Sequence, residues 1–379
     1  MLLMQTPPGA EAVIEGRRYL YFAGTSYFGL HGHAEVIAAA CQAAQLYGLG
    51  SATTRAWFGD MPPTRQVERA AADYFAAEDA FYYVSGYVSS QVLLGLLAGE
   101  FSAIFVDQRS HYSLLDATRA TGQRVMPFAH RDPDDLKAQL RAHLAAGQRP
   151  LVATDGVFPV LGTIAPIDQY RAVLANYPGA ALLIDDAHGL GVLGPHGRGT
   201  CEHVCPAVAP NTDISQAVAD SGPRLFWSGT LSKAFGGFGG IVAGSRPFIE
   251  RLKRGSHYFD GASALPPPVA AASAKGLELL AGQPQMRQQL WANVRAVKTG
   301  LRGLGLETND TPVPIVCLKI GTADHMRRIQ EGLAERGIMI AHAASYSGLG
   351  PGGALRLAVC SLHTEAMIAQ LLDAMRQVV

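Results

Sequence analysis

The chain of 379 residues has no surplus of charge of either sign: 31 Lys and Arg balance 31 Asp and Glu. Proteins that neutralise many phosphates carry a basic excess, so nucleic acid is excluded as the main partner. Cysteine is scarce. The five, at 41, 201, 205, 317 and 360, form an odd and scattered set. Such a set makes no disulfide framework and points to a reducing compartment. Cys201 and Cys205 flank His203, but no second CxxC or HxxxH completes a metal site, so no metal is expected. Long apolar runs are also missing. A stretch such as residues 92–98 falls far short of the about 20 residues that span a bilayer. Met1-Leu2-Leu3-Met4-Gln5 lacks the basic start and long apolar core of a secretion signal. A cytoplasmic protein without a membrane partner is expected.

What is present is core material. Hydrophobic residues make up 48% of the chain against 16% charged, and 42 glycines supply tight turns. The length is more than twice the usual ~150 residues per domain, which predicts two domains or one large α/β unit. From residue 80 onward, short β-rich runs alternate with helical segments. Ala80-Phe81-Tyr82-Tyr83-Val84, Ile104-Phe105-Val106-Asp107, Leu151-Val152-Ala153-Thr154-Asp155, Ala181-Leu182-Leu183-Ile184-Asp185 and Leu225-Phe226-Trp227-Ser228 are such runs. This pattern predicts a mostly parallel sheet covered on both faces. Pro266-Pro267-Pro268 opens a long helical region, and the alternation beyond it suits a smaller α+β domain. The expected division is an N-terminal arm over 1–45, a large domain over 46–265 and a small C-terminal domain over 266–379.

Ligands of open α/β sheets bind at the carboxyl ends of strands, so the polar residues there are the first candidates for chemistry. Lys233 stands just past one strand end, before Ala234-Phe235-Gly236-Gly237-Phe238-Gly239-Gly240. Alone it would read equally well as a loop lysine reaching solvent. A desolvated lysine has a lowered pKa and can form a Schiff base. Pyridoxal 5'-phosphate needs such a lysine, a carboxylate on its ring nitrogen and a cradle for its phosphate. Asp185, at the end of an apolar run, supplies the carboxylate. Ser85-Gly86-Tyr87, between a strand and a helix, supplies backbone N–H groups that attract an anion.

These residues resemble the α-oxoamine synthases, a family of pyridoxal phosphate enzymes of fold type I. The resemblance covers most of the chain. It rests on Gly229-Thr230-Leu231-Ser232-Lys233-Ala234-Phe235-Gly236-Gly237, Asp185-Asp186-Ala187-His188-Gly189 and Asp107-Gln108-Arg109-Ser110-His111-Tyr112-Ser113. Tyr27-Phe28-Gly29-Leu30, Ala153-Thr154-Asp155-Gly156-Val157-Phe158 and the stretch 194–199 add to it. It implies an α/β fold with a large, mostly parallel sheet and a smaller C-terminal α+β domain. It also implies a homodimer that condenses an amino acid with an acyl-CoA, with loss of carbon dioxide, to an α-aminoketone. Lys233 would carry the cofactor and shuttle the Cα proton. Asp185 would pair with the ring nitrogen, His111 would stack on the ring and His188 would lie near its hydroxyl. Ser85, Gly86, Tyr87 and Thr230 would hold the phosphate, with Ser263 reaching it from the neighbouring subunit. Arg356 would bind the donor carboxylate.

Three departures fall on the substrate side. Pro159 replaces a serine expected near the ring oxygen, Thr64 stands where a histidine is common, and Thr25 where an asparagine is frequent. They leave open a different outcome on the same fold, namely an aldolase, an aminotransferase or a CoA-independent lyase. A local basic patch such as Arg251, Lys253 and Arg254 is a candidate site for CoA.

Overall fold

The computed structural model describes residues 2–206, 222–346, 349–350 and 352–379. Its strands are β1 Glu11–Ile14, β2 Arg17–Tyr21, β3 Asp79–Tyr83, β4 Ala103–Asp107, β5 Val125–Phe128, β6 Pro150–Asp155 and β7 Ala181–Asp185. Then come β8 Arg224–Thr230, β9 Gly240–Gly244, β10 Ile315–Leu318, β11 Ile338–Met339, β12 Ala341–Ala343 and β13 Ala354–Ala358. The α-helices are α1 Ala34–Tyr47, α2 Pro62–Phe75, α3 Ser89–Leu97, α4 Tyr112–Ala120, α5 Pro133–His143, α6 Ile167–Leu174 and α7 Thr200–Val204. They continue with α8 Arg246–Arg254, α9 His257–Asp260, α10 Pro267–Gly282, α11 Pro284–Gly303, α12 Ala323–Glu335 and α13 Glu365–Val378.

Seven strands form the main sheet in the order β3-β9-β8-β7-β6-β4-β5. The five strands from β8 to β5 are parallel, while β9 runs antiparallel to both its neighbours. Period-2 alternation sends Phe81, Ile104, Leu151, Leu183 and Phe226 into one apolar cluster. Tyr82, Phe105, Val152, Leu182 and Trp227 enter the other. Both faces are thus covered, which explains why these strands read as continuous apolar runs.

Two three-stranded sheets complete the fold. β10-β13-β12 is antiparallel, and β1-β2-β11 joins the N-terminal hairpin to the C-terminal part through the parallel pair β2 and β11. The arm over 1–45 therefore divides: its hairpin pairs with the small unit, whereas α1 packs on α10. α10 also packs on α2, and its Gly276 lies against the carbonyl of Phe235 just beyond Lys233. α10 thus packs on α1, on α2 and on the segment that carries Lys233.

Candidate active site

Three adjacent strands bring residues near their carboxyl ends into one row. Asp155 of β6 registers with Asp185 of β7, and Asp185 with Ser228 of β8. Both aspartates are buried, and Ser228 Oγ is buried beside them without a hydrogen-bond partner among the described residues. Desolvation raises both carboxyls; the negative charge of Asp185 adds to the rise at Asp155, and Lys233 pulls both back. Burial lowers the Lys233 ammonium to about 8, against the opposing pull of Asp185 and Asp155 and with help from the positive charge of Arg356.

The segment carrying Lys233 is pinned from both sides. Leu231 N donates to the Gly239 carbonyl and Gly237 N to the Leu231 carbonyl, each at 3.0 Å. The Ser232 carbonyl lies 3.0 Å from His31 Nε2, and His31 Nδ1 lies 2.8 Å from Ser26 Oγ. A carbonyl can only accept, so His31 carries its proton on Nε2 and Ser26 donates to Nδ1.

His111 caps the start of α4 and is fixed by its own backbone, whose N–H donates to Asp155 Oδ2 at 2.7 Å. His188 is buried, and desolvation with the charges of Lys233 and Arg356 holds its pKa well below the usual range. Its ring is neutral. Tyr27 Oη sits 2.6 Å from His188 Nδ1, and burial raises that phenol to about 12. The phenol is therefore the donor, and the remaining imidazole proton is on Nε2. The positive charge of Arg356 opposes the rise at Tyr27.

Arg356 is itself buried. Its Nε donates to the Pro159 carbonyl at 2.7 Å and its Nη1 to the Gly24 carbonyl at 3.0 Å. Pro159 thus serves through its carbonyl, and Thr25 follows the glycine that holds the other nitrogen. Thr64 is buried in α2, its hydroxyl without a hydrogen-bond partner among the described residues.

At the other end, Ser85 Oγ accepts from Tyr87 N at 3.1 Å, capping the turn before α3. A Cβ on Gly86 would stand 2.4 Å from Cβ of Thr230, so only glycine lets this turn approach β8. Tyr87 is exposed, its hydroxyl donating to Asp116 Oδ2 at 2.9 Å.

Lys233, Asp185, His111, His188 and Arg356 are thus brought together, and Ser85, Gly86, Tyr87 and Thr230 form a second group. Ser263 joins neither; it is exposed, in a segment bridged to Thr54. The expected basic patch is largely engaged elsewhere: Arg251 pairs with Glu100 at 2.6 Å and Lys253 with Glu68 at 3.1 Å. Those cations answer buried or half-buried carboxylates, so the patch is not free for CoA. Sequence reasoning passed over Asp155 and Tyr27 as site residues. The strand-end position marked the first; nothing local marked the second.

The chain is similar to known proteins over nearly its whole length. The family model for aminotransferase class I and II matches residues 22–375. The chain is 36% identical over 376 residues to the 8-amino-7-oxononanoate synthase of Cellvibrio japonicus, covering 99% of this chain and 90% of that one. It is 34% identical to the enzyme of the same name from Pseudomonas putida, covering 99% and 92%. A solved serine palmitoyltransferase from S. paucimobilis superimposes with a TM-score of 0.89 at 27% identity, over 100% of this chain and 92% of that one. The chain belongs to the aminotransferase class I and II family, on its α-oxoamine synthase branch.

Proposed function

We propose that this chain is a pyridoxal phosphate-dependent enzyme joining an amino acid to an acyl thioester, with release of carbon dioxide, a thiol and an α-aminoketone. The observation that carries the reading is one lysine, lowered to about 8, between two strand-end carboxylates and a buried arginine.

The residues present fit the cofactor. A Cβ on Gly86 would meet Thr230, so only glycine brings the backbone N–H groups of the turn beside the Thr230 hydroxyl, a pairing of donors suited to an anion. Asp185 is a buried carboxylate in need of a proton-bearing nitrogen as partner. When bound, pyridoxal phosphate supplies a carbonyl for the donor amine and a ring that takes up the electron pair left at Cα.

The chain's own residues divide the remaining work. The Lys233 amine, with its pKa near 8, is suited to take the Cα proton and to return it once the carboxylate has left. Arg356 is ordered in advance by the Pro159 and Gly24 carbonyls and holds the donor carboxylate through a charge-assisted contact. His188 offers its Nε2–H as a fixed donor, oriented by Tyr27. His111, held by Asp155, covers one side of the site. Ser263 is exposed, as a residue serving the other subunit of a homodimer would be.

An absorbance scan of the protein loaded with pyridoxal phosphate tests this reading. A band near the visible edge is expected, lost in Lys233→Ala and shifted by the donor amino acid alone. The same band in Lys233→Ala would contradict it.

A further inference from the structure

Lys298 lies in the second half of α11 and is buried, away from the strand-end cluster. Its ammonium donates to three oxygens of one neighbouring segment. These are Asn309 Oδ1 at 2.7 Å, the Thr311 carbonyl at 2.6 Å and Thr311 Oγ1 at 3.2 Å. All three acceptors are neutral. Burying an ammonium is costly unless its protons are met, and here each of the three has an acceptor. Burial, with the charge of Arg302, still lowers this ammonium to about 8. The use of so costly a group lies in the segment it holds.

That segment in turn grips the turn after β6. Asn309 Nδ2 donates to the Leu161 carbonyl at 3.1 Å and to the Gly162 carbonyl at 3.3 Å. Thr311 Oγ1 donates to the Gly162 carbonyl at 2.9 Å. The turn is closed on itself, since Gly162 N donates to the Phe158 carbonyl at 2.9 Å and Phe158 N to the Thr163 carbonyl at 3.0 Å. A Cβ on Gly162 would stand 2.3 Å from the Ile315 carbonyl, so the turn lies directly against β10. Pro159 sits inside this closed turn, and its carbonyl receives Arg356 Nε. One continuous run of hydrogen bonds and short turn therefore joins Lys298 to the guanidinium of Arg356.

We infer that Lys298 is a positioning residue for the donor carboxylate: through Asn309, Thr311 and the turn at Pro159 it sets where the Arg356 guanidinium stands. The inference rests on the reading of Arg356 as the holder of that carboxylate. Without the grip on Leu161 and Gly162, the Pro159 carbonyl is free to move with its turn, and Arg356 Nε loses a fixed partner. A displacement of about 1 Å caused by a remote change costs a positioned contact up to about 100-fold.

The test compares ligands that differ only in the carboxylate. The protein loaded with pyridoxal phosphate, without acyl thioester, is titrated with glycine, alanine and serine, and with methylamine, ethylamine and ethanolamine, the amines left when their carboxylates are removed. Cofactor absorbance reads the binding of each. In the wild type, at least one amino acid should act at a lower concentration than its amine. In Lys298→Met and in Asn309→Ala that amino acid should need a concentration about tenfold higher or more, while its amine stays within about twofold of the wild type. Asn309 is half-buried in a loop, so its variant carries the test if Lys298→Met does not fold. Amino acid binding unchanged in Asn309→Ala and in a folded Lys298→Met overturns the inference. Equal weakening of amino acid and amine also overturns it, because a general loosening of the fold makes no distinction between them. A wild type that binds amino acid and amine alike overturns the reading of Arg356 itself, and that failure is visible before any variant is made.

Discussion

Lys233 owes its reactivity to what surrounds it more than to its own chemistry. Desolvation favours the neutral amine, while Asp185 and Asp155 favour the cation, and the balance falls at about 8 instead of the ordinary 10.5. The nucleophilic form grows as pH rises through that value. The rate at which the protein takes up pyridoxal phosphate covalently should therefore climb through about pH 8 and level off above it. A stopped-flow pH series checks this, and a climb centred near 10 would contradict it. A second prediction concerns Tyr27. Tyr27→Phe deletes the donor to His188 Nδ1 and leaves that buried nitrogen unpaired, a loss of about 1–3 kcal/mol. Denaturant unfolding reads the loss, and the His188 ring nitrogen shifts in NMR report whether the Nε2–H form is still dominant.

The two residues also show how far a sequence can be read. Asp185 was legible because it ends an apolar run with a charge, and Lys233 because it stands in a glycine-rich, nearly uncharged stretch beyond a strand end. Tyr27 was not, since its partner lies 161 residues away in the chain. The link between Arg356 and the Pro159 carbonyl spans 197 residues. A backbone carbonyl acting in place of a side chain leaves no trace in residue type, so Pro159 read only as a missing hydroxyl.

Among the elements, the parallel strands were legible from their length and unbroken apolar character, and the observed β3, β4, β6, β7 and β8 lie where the runs predicted them. β9 was not, because Gly240 opens it and the glycine-rich approach reads as loop. The packing of α10 was not legible for a related reason: periodicity shows that a helix has an apolar face but not what covers it. Gly276 supplies the answer. A Cβ there would meet the Phe235 carbonyl at 1.8 Å, so α10 sits directly on the segment that carries Lys233. Gly276→Ala should destabilise the protein by about 1–3 kcal/mol and weaken cofactor retention. Gly282→Ala, in open space on the same helix, should be neutral or slightly stabilising. Unfolding midpoints of the two variants make the comparison, and equal effects would contradict the packing argument.

At the scale of the molecule, apolar side chains stand in water around residues 46–58. Leu49, Trp57 and Phe58 are 79%, 72% and 87% exposed. Thr54, between them, bridges to Ser263. Exposed apolar clusters of this kind mark contact surfaces, and the proposed homodimer would cover this one while carrying Ser263 to the partner. Light scattering should give twice the mass of one chain, and Trp57→Glu combined with Phe58→Glu should halve it.

The central claim is the reaction itself. The direct measurement mixes the loaded protein with the donor that shifts its spectrum and with a series of acyl-CoA thioesters, and follows free thiol and carbon dioxide together. The account predicts that both appear, in equal amounts, only when donor and thioester are present. Release of a keto acid from the donor without thiol, or carbon dioxide without thioester, would contradict it and assign the site to a different reaction on the same fold.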